Sequence, residues 1–337
     1  MEYYPIPGTD MEASRIGLGT WAIGGRDWGG TDERSAVDTI EAALGRGINL
    51  IDTAPAYGLG RSEELVGETL ERRGDREDVI VATKAGIEWD GDGNVWRNSS
   101  RQRIMEEVQA SLGRLRTSYI DIYQVHWPDP TVPIEETAAA MQALKDEGLV
   151  RAIGVSNHSP DQMDRFQEVA ELATAQPPYN LFEREIEEDV LPYCGLHKIA
   201  LLTYGSLCRG LLSGKMTAHT EFPEGDLRND DPKFQEPGYS RYLQAVKVLD
   251  AFARQRYGKD VLSLAVRWVL DRPGTGVALW GARRPVQVVA VDRVMGWTIP
   301  QTDLVEVEGI MEGILGSTSN PGFMAPPARD ENRARDG

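Results

Sequence analysis

The chain is poor in cysteine: Cys194 and Cys208 are its only two in 337 residues. No disulfide framework can be built on them, so packing must supply the stability, and reduced thiols suit a cytoplasmic setting. Histidine is scarce as well. His126, His158, His197 and His219 lack the HExxH spacing and the carboxylate-rich company that a catalytic metal with its protein ligands requires. Long apolar runs are missing. The opening MEYYPIPGTDMEASRIGLG has no basic stretch followed by an apolar one, so neither a signal peptide nor a membrane helix is expected. Basic charge is in deficit, 36 Lys and Arg against 53 Asp and Glu for a net charge of -17, which disfavours nucleic-acid and anionic-membrane partners at long range. A GxGxxG fingerprint is also absent after the first strand, which weighs against a doubly wound dinucleotide-binding sheet.

What remains is an ordinary globular composition, 41% hydrophobic and 26% charged, able to bury a sizeable core. After a short opening hairpin, eight strand-like segments alternate with helix-like ones. The strands are expected at 17–21, 48–52, 78–84, 119–127, 150–156, 173–180, 198–205 and 276–281. They are short and apolar on both faces, as strands buried in a parallel sheet must be. Helical spacing occupies 32–47, 62–74, 101–115, 134–148, 159–173, 183–196, 239–257 and 261–271. Ser62 and Ser159 read as helix starts, and Gly47, Gly74 and Gly148 as helix ends. Parallel strands each followed by a covering helix predict an α/β fold, a (β/α)8 TIM barrel, with a doubly wound sheet as its rival. Residues 1–325 are expected to form this single barrel domain and 326–337 a disordered tail, with Phe323 and Met324 docking back onto the barrel. The stretch 205–238 is too long and too rich in Gly, Pro and Asp for a plain connection, and reads as a functional loop after the seventh strand.

In such a barrel the C-terminal ends of the strands converge on one mouth. Four polar side chains fall there: Asp52, Tyr57, Lys84 and His126. A phenol titrates near 10, too high for ready proton exchange at neutral pH, but a neighbouring ammonium favours phenolate. Lys84 is expected to lower Tyr57 in this way, Asp52 to balance the lysine charge, and His126 to orient a carbonyl oxygen. Each has a plainer reading alone: a turn cap, a loop anchor, a surface lysine, a core histidine. Trp28, Trp89, Trp96 and Trp127 lie in or near loops at the same mouth and suit an apolar, aromatic pocket.

The runs GLGTWAIGG, IDTAPAYG, ATKAG, QVHWPD, IGVSN and WGARRP, in this order, resemble the aldo-keto reductase superfamily of NADPH-dependent carbonyl reductases. The opening MEY, WGGTDE, QPPYNLFERE, YGSLCRGLL and FMAPP are closest to its bacterial general-stress branch. The resemblance implies aldehyde, and possibly ketone, reduction with Tyr57 as proton donor, Lys84 and Asp52 tuning it, and His126 aligning the substrate. It implies NADPH contacts at Thr20, Trp21, Asp52, Ser156, Asn157, Gln176 and Tyr204, the last stacked on nicotinamide. For the pyrophosphate it implies the run Gly205, Ser206, Leu207, Cys208, Arg209 and Gly210, with Lys215 and Arg228. For the 2'-phosphate end it implies Gly281, Ala282, Arg283 and Gln287. Where many members place an acidic residue and then asparagine beside the adenine, this chain has Ala290 and Val291, which predicts a looser grip there. The partner is a small carbonyl substrate; the oligomeric state is open, and a monomer is compatible with the sequence. Two other classes stay open: a nucleotide-sensing regulatory barrel with little turnover, and a metal-dependent barrel hydrolase.

Overall fold

The computed structural model describes residues 1–316 and 324–329. Twelve strands are present among them: β1 (Tyr3–Pro5), β2 (Glu12–Ser14), β3 (Ile16–Gly19), β4 (Leu50–Asp52), β5 (Ile80–Ala85), β6 (Ile87–Trp89), β7 (Val95–Arg97), β8 (Ile120–Val125), β9 (Val150–Ser156), β10 (Thr174–Gln176), β11 (Ala200–Thr203) and β12 (Thr275–Gly281). Eight of them close a parallel barrel in the order β10-β11-β12-β3-β4-β5-β8-β9. The expected (β/α)8 architecture is therefore the observed one.

Alternation along each strand divides the apolar residues into two cores. Leu50, Ala82, Ile122, Ala152, Ala200, Leu202, Val277 and Leu279 fill the barrel, and Ile6, Met11 and Ala13 of the β1–β2 hairpin plug its bottom. The residues between them, such as Ile51, Val81, Tyr123 and Ile153, face outward into a second core shared with the helices. The first four helices are α1 (Glu33–Leu44), α2 (Arg61–Arg73), α3 (Arg101–Leu115) and α4 (Ile134–Asp146). They are followed by α5 (Pro160–Gln167), α6 (Val190–His197), α7 (Gly238–Tyr257), α8 (Val261–Asp271), α9 (Pro285–Val288) and α10 (Gln301–Leu315). Burying both strand faces in this way accounts for the continuous apolar runs in the sequence.

Several local expectations are revised. Ser159 caps α5 through a reciprocal capping box with Gln162, but Ser62 caps nothing. The cap of α2 is Gly60, and the Ser62 hydroxyl instead donates to Thr20 Oγ1 at 2.7 Å and lies 2.9 Å from Thr53 Oγ1. A second hairpin, β6–β7, rises directly after β5 at the mouth, and α10 closes the helical layer; neither was foreseen. The described part of the expected tail is docked: Arg97 N donates to Pro327 O at 2.9 Å, and Arg97 bridges to Ala328 in parallel sense. Arg209 reaches the Met324 sulfur at 3.9 Å, while Phe323 and 330–337 lie outside the described residues.

Candidate active site

β4 and β5 set the centre. With Leu50 inside and Ile51 outside, Asp52 faces the barrel axis at the upper rim. With Ala82 inside and Thr83 outside, Lys84 does the same one strand over, in a register that pairs Asp52 with Ala82. Lys84 is fully buried and donates to Asp52 Oδ1 at 2.9 Å, to Asp52 Oδ2 at 2.8 Å, to Thr53 O at 2.9 Å and to the Tyr57 hydroxyl oxygen at 3.2 Å. Its charge is thus matched, as a buried ammonium requires. His126 follows β8, its ring edge-on to Tyr57 with centroids 5.8 Å apart. Asp52, Tyr57, Lys84 and His126 therefore share one place.

The loop carrying Tyr57 is fixed by contact. A side-chain carbon at Gly58 would lie 2.2 Å from Gly24 O, and one at Gly24 would lie 2.6 Å from Tyr57 C, so only glycine at both positions lets the two loops meet. Trp21 lies nearly parallel to Tyr57 at 6.1 Å, and Trp28 packs edge-on to Trp21 at 5.4 Å.

Electrostatics revise one expectation. Burial, and then the Asp52 carboxylate, hold the Tyr57 phenol well above its ordinary value, because both disfavour a phenolate. The resting phenol keeps its proton, and the Lys84 charge is spent on Asp52 instead of lowering Tyr57. Burial pulls Lys84 down, opposed by Asp52 and Glu63. Burial, and then Lys84, keep His126 well below the usual histidine value, so its imidazole is neutral.

A continuous hydrogen-bond chain runs from the centre toward β11. Gln176 Nε2 donates to Asp52 Oδ1 at 2.7 Å, Ser156 Oγ to Gln176 O at 2.8 Å, and Asn157 Nδ2 to Ser156 Oγ at 3.0 Å and His126 O at 3.0 Å. Tyr204 donates to Asn157 Oδ1 at 2.9 Å, and Thr20 Oγ1 to Asp52 O at 2.9 Å. Thr20, Trp21, Ser156, Asn157, Gln176 and Tyr204 are thus gathered around the central group, as a nicotinamide site would need.

The expected phosphate side is different. The Arg209 side chain does not face a ligand: it is buried on Asp231 at 2.5 Å and Glu183 at 2.8 Å, with Lys233 also on Glu183 at 2.9 Å. Within Gly205–Gly210, the amides of Cys208 and Gly210 already donate to Gly205 O and Leu207 O. Ser206 Oγ, by contrast, is buried with no protein partner, an atom that a phosphate oxygen would satisfy. Arg228 is held by Asp226 through two bonds of 2.8 and 2.6 Å and lies 5.1 Å over the Trp28 ring. Arg283 donates to Trp28 O at 2.6 Å, and Gln287 Oε1 accepts from the amides of Arg283 and Arg284, so the glutamine carbonyl holds the turn after Gly281 and Ala282. Burial, then Arg228 and Arg284, push the Arg283 guanidinium down, with Asp226 opposing. That is a locally positive spot on an acidic protein, suited to phosphate. Lys215 is exposed.

Of the tryptophans, Trp89 packs under Arg103 at 5.6 Å and Trp96 donates to Glu88 at 3.1 Å, so both anchor the β6–β7 hairpin. Trp127 is half-buried beside His126. Among the described residues no cluster of three or more His, Cys, Asp or Glu could hold a metal ion.

A barrel with this buried Asp-Tyr-Lys-His centre at its strand ends has counterparts. The chain belongs to the aldo/keto reductase family, whose model matches residues 15–312. It is 58% identical over 331 residues to the aldo-keto reductase YhdN of Bacillus subtilis (strain 168), covering 98% of this chain and 100% of that one. It is 38% identical to the NADH-specific methylglyoxal reductase of Escherichia coli (strain K12), over 86% of this chain and 91% of that one. Among solved structures, the glycerol dehydrogenase AKR11B4 from Gluconobacter oxydans superposes with a TM-score of 0.87 at 51% identity, covering 96% of this chain and 99% of that one.

The sequence reading missed the groups that hold these residues in place. Ser62, Glu63 and Arg114 brace the Tyr57 loop, and Glu183 and Asp231 bind Arg209, with Lys233 sharing Glu183. The run SEE after Gly60 was the available signal, but it reads equally as a helix start.

Proposed function

We propose that the protein is an NADPH-dependent reductase of small aldehydes, with ketones as further substrates, working in the cytoplasm. The observation that carries the reading is the 3.2 Å contact between Lys84 Nζ and the protonated Tyr57 hydroxyl, with Asp52 holding the lysine. The nicotinamide, when bound, supplies the hydride to the carbonyl carbon. Tyr57 gives its proton to the carbonyl oxygen, and the resulting phenolate is stabilised by the adjacent ammonium, whose interaction grows as the negative charge appears. Neutral His126 offers the carbonyl oxygen a hydrogen bond. Tyr204 and Trp21 would be the aromatic faces near the ring, Ser206 would meet the pyrophosphate, and Arg283 would meet a 2'-phosphate, with Arg228, expected at the pyrophosphate, close enough to add its charge there.

The arginine cluster supports NADPH, whereas one relative is named for NADH, so both coenzymes belong in the test. Relatives named for glycerol and methylglyoxal favour three-carbon substrates in the panel. The experiment is consumption of NADPH and NADH with such aldehydes and with 4-nitrobenzaldehyde, in the native protein and in Tyr57→Phe. Loss of the proton donor is expected to lower kcat by about 10²–10⁴-fold with coenzyme binding retained. Relatives that are 29% and 30% identical are named as probable voltage-gated potassium channel β subunits, which keeps the regulatory reading in view. Tight coenzyme binding without turnover on the whole panel would favour it.

A further inference from the structure

Outside the barrel wall, behind the strand that carries Lys84, lies a buried ion pair that the chemistry described so far does not use. Glu63, on the first turn of α2, is fully buried. Its Oε1 accepts from Thr83 Oγ1 at 2.6 Å, and its Oε2 from Arg114 Nε at 2.6 Å. Thr83 is the residue before Lys84, and its outward side chain is the lever by which anything on α2 can hold β5 in place. Arg114 comes from α3 and also donates to Ser111 Oγ at 3.3 Å. Its aliphatic stem lies against Gly60, where a side-chain carbon would sit 2.8 Å from Arg114 Cδ. Gly60 ends the loop that begins at Tyr57. The preceding hydroxyl, Ser62, ties the same helix start to Thr20 and Thr53. One ion pair therefore touches both the strand of the lysine and the loop of the tyrosine.

Stability is a poor reason for such a pair, because removing two charges from water costs about as much as their attraction returns. Positioning is a better one, since a misplacement of about 1 Å in a catalytic group can cost about 10²-fold in rate.

We propose that the Glu63–Arg114 pair is a positioning device for the Tyr57–Lys84 couple, holding the two side chains at hydrogen-bond distance from outside the barrel. The inference rests on the reductase reading. Glu63 also acts on Lys84 through its field, because its negative charge supports the buried ammonium across the strand. The other charged or titratable groups facing Lys84 are Asp52 from β4, Tyr57 from its loop and His126 after β8. Beside Glu63 stand Arg114, Arg103 and Glu107 on α3 and Tyr123 on β8; burial lifts Glu107 to about 7 and holds the Tyr123 phenol well above its ordinary value.

The test compares the full-length native protein with Glu63→Gln/Arg114→Gln, which removes both charges and leaves neither one buried alone, and with Glu63→Asp, which keeps the charge but shortens its reach. Thermal unfolding establishes that each variant is folded. Tryptophan quenching reads NADPH Kd, and kcat for 4-nitrobenzaldehyde is measured against pH. The Lys84 Nζ resonance is titrated in coenzyme-free protein, assigned by its loss in Lys84→Met. The double variant is expected to keep Kd within about twofold, to lose about tenfold or more in kcat, and to shift its alkaline limb and the Lys84 titration to lower pH. Glu63→Asp is expected to lose kcat with the alkaline limb unmoved. A folded double variant with native kcat and a native Lys84 titration overturns the proposal, as does a kcat loss matched by an equal loss of NADPH affinity. If the native protein turns over no carbonyl, the reductase reading falls, and the Lys84 titration alone decides the inference.

Discussion

The two halves of the barrel mouth are built in opposite ways. On the side of β4, β5 and β8, polar groups are spent on one another: Lys84 on Asp52, Gln176 on Asp52, Asn157 on Ser156 and His126, with loops pressed together at Gly24 and Gly58. On the side of β11 and β12 long loops carry the groups, and Ser206 Oγ there is buried with no protein partner; Trp28 Nε1 on the loop after β3 is unpartnered too, while on β8 the exceptions, the Gln124 amide and the Tyr123 hydroxyl, sit in the barrel wall. The difference teaches where each task resides. On the proposed reading, proton transfer needs fixed distances and falls on strand ends, whereas the phosphate end of a coenzyme tolerates adjustment and falls on loops.

This contrast can be broken or sharpened by experiment. The largest effect is expected from Arg209→Met. It leaves Asp231 without its guanidinium and weakens the compensation of Glu183, a breach of a buried pair worth about 3–5 kcal/mol in denaturant unfolding. At saturating coenzyme, kcat should stay near native, since this ion cluster belongs to the loop half. An equal collapse of kcat would show that the halves are one unit. Next comes Arg283→Ala. Loss of a charge-assisted contact of about 1.5–3 kcal/mol should raise KM for NADPH about 10- to 100-fold and leave NADH nearly unaffected. Equal losses with both coenzymes would remove Arg283 from the 2'-phosphate.

The smallest effect concerns pH on the rigid half. Burial, against a hydrogen bond with Ser156 O at 2.8 Å, lowers His158 from 6.5 to about 4. The unfolded chain takes up this proton first as pH falls. The stability contributed by neutral His158 is therefore fully present above about 6.5 and is lost as pH drops through about 4. Thermal unfolding between pH 7 and 4 should show a shallower decline in His158→Gln than in the native protein, and parallel slopes would refute the assignment.

Much of this arrangement could be read from residue order alone. Strands buried on both faces wrote their apolar runs plainly, and Asp52, Lys84 and His126 stood at consecutive ends of them. The β6–β7 hairpin was less legible, although IEW and VWR flank a DGDGN turn, because three-residue strands are too short for alternation to stand out. The fate of Arg209 was not legible. Its partners Glu183 and Asp231 lie 26 and 22 positions away in sequence, and only the folded loop brings them together. Tyr57 was misjudged electrostatically for a related reason: that a lysine would be near could be inferred, but its neutralisation by a carboxylate touching it through both oxygens follows from geometry. Glu63 hid in plain view, since an acidic residue in the first turn of a helix already has an ordinary explanation.

The backbone meeting of Gly24 with Gly58 also limits how this protein can be redesigned. A library aimed at new substrates that randomises either position would push Tyr57, the proposed proton donor, off its mark in nearly every clone. Diversity is better spent on the β6–β7 hairpin and around Trp127, where side chains can change without moving the main chain beneath the tyrosine.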